Sequence, residues 1–69
     1  MKVNYENLPR QTKADVDEIV TAYYDGGANL AERVFRAIVE ARELKNWEAI
    51  AVGGVIRARL ARLGYLQIV

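Results

Sequence analysis

Neither cysteine nor histidine occurs in the chain, and in a polypeptide of only 69 residues that double absence constrains folding more than any motif does. A domain of this size hides only ~60% of the surface its unfolded chain exposes. Below roughly 70 to 80 residues a core is usually reinforced by disulfides, a structural metal, self-association or very regular helix packing. With no thiol and no imidazole the first two routes close, so neither a metal site nor a cofactor is expected. Self-association is the reinforcement left, and a homodimer is expected. Hydrophobic residues make up 52% of the chain, more than so small an interior needs, so part of that surface should meet a second chain.

The periodicity is helical. Residues 1–11 are polar, include the single proline and show no sustained period, which predicts an extended or flexible arm that docks, if at all, through Val3, Tyr5 and Leu8. Residues 12–69 read as one helical domain. Thr12-Lys13-Ala14-Asp15 matches a capping box, and Val16, Ile19, Val20 and Tyr23 then share one face of a first helix. Gly26-Gly27 should end it. Asn29, with Glu32 three residues on, is placed to cap a second helix. On that helix Leu30, Val34, Ala37, Ala41 and Leu44 follow the spacing of a heptad seam, beside a second row of Ala31, Phe35, Ile38 and Val39. Glu32, Arg36, Glu40 and Glu43 form its polar side.

A third helix is expected from Trp47, capped by Asn46, although the second helix running on through Lys45-Asn46 is equally compatible with the sequence. Its apolar row is Ala49, Val52, Ile56, Leu60 and Leu63, with Gly53-Gly54 as an interruption and Gly64 as a C-terminal cap. Residues 65–69 are strand-like in composition and read as a short extended tail. The predicted fold class is therefore an all-α, small three-helix domain with that tail, paired with its own copy in a homodimer.

Catalysis has little to draw on. The chain has no His, Cys or Ser, and Asp15, Asp17 and Glu18 are accounted for as carboxylates offsetting the dipole of a helix start. The glycine pairs fit no phosphate-binding loop. The protein is read as a non-enzyme. No apolar run of ~20 residues or secretory leader is present, which predicts no membrane partner and a cytoplasmic protein.

Two functional readings follow. In the first, aromatic and aliphatic side chains outside the core, namely Tyr24, Phe35, Ile38, Val39 and Trp47, form a protein interface, and the homodimer acts sterically on another protein. In the second, residues 47–63 are a helix-turn-helix with Gly53-Gly54 as the turn and Arg57, Arg59 and Arg62 exposed to nucleic acid. All nine acids precede residue 49, so the C-terminal end is the basic end, yet the net charge of +1 supplies no global field for DNA. The following Leu63-Gly64-Tyr65-Leu66 resembles the passage from recognition helix to strand in winged-helix domains. In size, helicity and lack of catalytic residues the chain resembles small accessory proteins of bacteriophages of the anti-activator, anti-quorum-sensing or anti-CRISPR type. That resemblance implies an inhibitor of a host regulator and assigns no residue.

Overall fold

The computed structural model describes residues 4–65, and a 3-10 turn, Tyr5–Asn7, leads into two helices, α1 (Arg10–Ala41) and α2 (Asn46–Arg62). The all-helical expectation holds among these residues, whereas the count of three helices is corrected to two. The first helical run does break at Gly26-Gly27, as expected, but no connecting loop follows. Gly27 alone takes a non-helical conformation, φ 77° and ψ −166°, and helix resumes directly after it. That region of φ/ψ space is open almost only to glycine, so one residue can turn the chain without a connecting loop. A straight helix of this length would measure about 48 Å. The whole described chain spans 27 × 26 × 21 Å, so the bend folds the two arms of α1, residues 10–26 and 28–41, back toward each other.

The helix starts differ from the expected caps. α1 begins at Arg10 behind Pro9, whose carbonyl accepts the Lys13 N–H at 2.9 Å, so Thr12 lies inside the helix and its capping box does not form. Proline suits this position because its fixed φ precedes a helix without strain. Asn29 falls just after the bend, within the resumed helix, and no loop remains for it to cap. α2 starts at Asn46 rather than Trp47, and the cap comes from the other side: the Glu48 carboxylate accepts the Lys45 N–H at 3.0 Å.

Both helix ends close by the same pattern. After α2, the Tyr65 N–H donates to Leu60 O and Gly64 N–H to Ala61 O, with Gly64 at φ 85° as the sequence predicts. After α1, Leu44 N–H donates to Val39 O and Glu43 N–H to Glu40 O, but here Glu43 occupies the left-handed position at φ 52°. This turn separates α1 from α2.

The core takes Val16, Ile19 and Ala31 from α1 and Val55, Ile56 and Leu60 from α2, all buried. Tyr5, Leu8, Val20, Tyr23, Val34, Phe35, Ile38 and Val52 pack around them half-buried. The stripe predicted for the first arm is thus the stripe used. In the second arm the inward face draws on both rows: Ala31, Phe35 and Ile38 turn inward together with Val34 of the heptad seam, while the seam's Leu30, Ala37 and Ala41 are exposed. α2 runs unbroken through Gly53-Gly54, which corrects the predicted interruption. The predicted strand-like tail lies outside the described residues except for Tyr65, as does Val3 of the arm.

Candidate protein-interaction site

α2 lacks a polar side. It holds Ile56 at the centre of its inward face, and at about 100° per residue the opposite direction is marked by Trp47. Within about 60° of that direction stand Ile50, Ala51, Gly54, Ala58 and Ala61, with no charged residue until Arg62 and Arg57 at the margins. Trp47 is 67% exposed and Ile50 75%. A helix face this apolar is the pattern of one that is covered, not of one facing water. This outward face is the candidate site.

Two grooves border it. One of about 480 Å³ lies between the 3-10 turn and α2, floored by Ala51, Gly54 and Ala58 and flanked by Glu6 and Arg62. The other, of about 330 Å³, opens beneath Trp47 and is lined by Leu8, Pro9, Ile38, Leu44 and Val52.

The five residues expected at an interface do not form one patch. Tyr24 is 69% exposed and packs against Tyr65 with the rings tilted by 52° and 5.6 Å between centroids, beside the C-terminal end of α2. Trp47 stands at its N-terminal end, about 25 Å away along the helix. Phe35 and Ile38 pack against the core, and Val39 is half-buried beside the turn its carbonyl helps close. The sequence reading missed Ile50, Gly54 and Ala58. A helical projection carried through Gly53-Gly54 would have placed them with Trp47.

Polar contacts tie down the arm and the bend. The Tyr5 hydroxyl donates to the Asp17 carboxylate, 2.9 Å from each oxygen, while the Arg59 guanidinium lies over the Tyr5 ring at 4.3 Å and Lys13 at 5.8 Å. Donation to Asp17 is the main cause holding the phenol above its ordinary pKa. Arg42 meets Asp15 with a forked pair of bonds, Nε to Oδ2 and Nη2 to Oδ1, both 3.1 Å. Such a fork is the strong form of the interaction. It joins the two arms of α1 beyond the bend, and with Gln11 it holds the Asp15 carboxyl below the usual carboxylate range despite partial burial. Asp15 and Asp17 therefore have tertiary partners and lie past the first turn, which replaces the helix-dipole account of them.

The three arginines also separate. Arg59 packs on Tyr5, Arg62 lies 3.9 Å from Glu6 and Arg57 points outward on the other margin of α2. Arg57 and Arg59 are about 160° apart around the helix. They form no single basic stripe, and the turn required by a helix-turn-helix at 53–54 is helical. Among the described residues, no helix is long and apolar enough to cross a membrane.

Comparison with known proteins adds no relative: no family model matches the chain, and no curated protein or solved structure matches it.

Proposed function

We propose that this protein is a non-enzymatic, cytoplasmic binding protein that self-associates and acts sterically, as a homodimer, on a surface of another protein. The observation that carries this reading is the uncharged outward face of α2, with Trp47 and Ile50 largely in water. Burying a large apolar side chain gains about 1.5–3 kcal/mol. Covering Trp47 and Ile50 on two chains would gain roughly 6–12 kcal/mol, against an association cost of about 4 kcal/mol or more. The balance of at most about 2–8 kcal/mol reaches micromolar affinity at its upper end, with the rest of the face contributing beyond these two side chains.

Inhibition of a host regulator is the form such binding takes in the phage accessory proteins that the chain resembles in type. No observation favours the nucleic-acid reading, because the arginines are dispersed and one of them holds the arm. Sedimentation equilibrium from 1 to 200 µM tests the proposal. A monomer–dimer equilibrium, with a thermal midpoint that rises with protein concentration, is expected. A monomer throughout this range, unfolding at a concentration-independent midpoint, would overturn it.

A further inference from the structure

We infer that a second copy of this chain seats on the outward face of α2, the two helices packing antiparallel across a two-fold axis that passes beside Gly54. This deepens the self-association reading and rests on it. The face is self-complementary in size: its bulky residues, Trp47 and Ile50, lie N-terminal to Gly54, and its small residues, Ala58 and Ala61, lie C-terminal to it. In an isologous pair, what stands before the axis on one chain meets what stands after it on the other. Trp47 then lies against Ala61 of the second copy, Ile50 against Ala58, and Gly54 against Gly54. A parallel pair would instead set Trp47 against Trp47 and alanine against alanine, leaving a clash at one end and a void at the other.

Two further observations favour the same pairing. A Cβ at Gly54 would meet nothing within 4 Å in the single chain, so no contact inside the protomer accounts for glycine there. A close helix crossing does account for it, because a residue without a side chain lets two axes approach to about 8 Å. Charge agrees as well. Glu48 and Arg62 lie on the same margin of α2, within about 40° of each other, and the two-fold brings Arg62 of one chain within about two residues' rise of Glu48 on the other. In the single chain Arg62 is left with a contact of 3.9 Å to Glu6, both side chains exposed. The groove floored by Ala51, Gly54 and Ala58 is continuous with this face and gives the incoming bulky side chains room.

The absence of native cysteine makes every introduced thiol a unique reporter. Antiparallel pairing predicts that Gly54→Cys couples to its own copy under mild oxidation: a side chain at the crossing sets the axes about 9–10 Å apart, which puts the facing Cα atoms about 4.4–5.4 Å apart, inside the roughly 4.4–6.8 Å range that a disulfide accepts. Ile50→Cys alone and Ala58→Cys alone should not couple, being about 12 Å from their own copies, whereas an equimolar mixture of the two should give the crossed dimer. In the unmodified chain the emission of Trp47 should shift to the blue as concentration rises. Ile50→Asp, at an exposed position, should keep the helical circular dichroism and weaken dimerisation at least tenfold. Coupling of Ile50→Cys to itself, or a sedimenting dimer that Ile50→Asp leaves intact and Gly54→Cys cannot trap, would overturn this arrangement while leaving self-association standing. A monomer at every concentration would remove both.

Discussion

Gly26-Gly27 and Gly53-Gly54 are the same dipeptide set between apolar helical runs, yet the chain turns sharply at the first and passes straight through the second. Local preference treats them alike, since each interior glycine costs about 1 kcal/mol relative to alanine. Their surroundings differ. Around the second pair, Val52 on one side and Val55, Ile56 and Leu60 on the other pack into the same core, and Gly53 faces Phe35. A break there would strip one side of its contacts, so packing holds the helix together despite about 2 kcal/mol of unfavourable propensity. At the first pair the gain runs the other way. Bending at Gly27 lets both arms share α2 and lets Asp15 reach Arg42, which a straight helix would keep about 40 Å apart.

Substitution can break this contrast, and the largest effect is expected at Gly27. Gly27→Val places a β-branched residue at φ 77°, and a loss of about 1–3 kcal/mol in urea denaturation is expected. If this variant unfolds no more easily than the parent, the bend is not held by the conformation of Gly27. Next comes Gly26→Ala. Its Cβ would stand 2.7 Å from Leu30 Cδ2 and 2.8 Å from Leu30 Cβ, so the clash should outweigh the better helix propensity and cost on the order of 1 kcal/mol. A double-mutant cycle with Leu30→Ala should recover part of that loss, and strict additivity would show that Leu30 is not the obstacle.

Gly53→Ala should act in the opposite direction. The new methyl would lie 3.9 Å from Phe35 Cζ, an ordinary contact, so a gain of about 0.5–1 kcal/mol is expected, read as a higher urea midpoint with unchanged slope. Destabilisation here would mean that α2 is not a regular helix at this point. The smallest effect concerns the clasp across the bend. The Asp15 carboxyl is held below its ordinary value of 3.8 by Arg42, so its contribution is full above that value and is lost as pH falls through the lower folded value. Thermal midpoints measured downward from pH 5 should therefore fall more steeply for the parent than for Arg42→Gln. Parallel profiles would show that the fork adds nothing to the bend.

Much of the helical content and part of the core were legible in the residues. Val16, Ile19, Val20 and Tyr23 were read as one face and are one face, and Gly64 ends α2 as expected. The second arm shows the limit of that reading. Its two apolar rows have nearly equal claims by period, and only contact with α2 selects Ala31, Phe35 and Ile38 over Leu30, Ala37 and Ala41. The candidate site was legible in Trp47 alone. Ile50, Gly54 and Ala58 were hidden by reading Gly53-Gly54 as a turn, and Phe35 and Ile38 are largely used inside the protomer.

The residue order by itself determined the helical class, the inward stripe of the first arm, the closing glycine of α2 and the apolar surplus without thiol or imidazole. These follow from spacing, backbone freedom and side-chain chemistry, which operate within a few residues. Tertiary structure decided which glycine pair bends, which residues of the second arm's two rows are core, and that Tyr5, Asp15 and Asp17 serve as tethers. Each of those outcomes depends on partners 12 or more residues away, and such contacts leave no periodic trace in the chain.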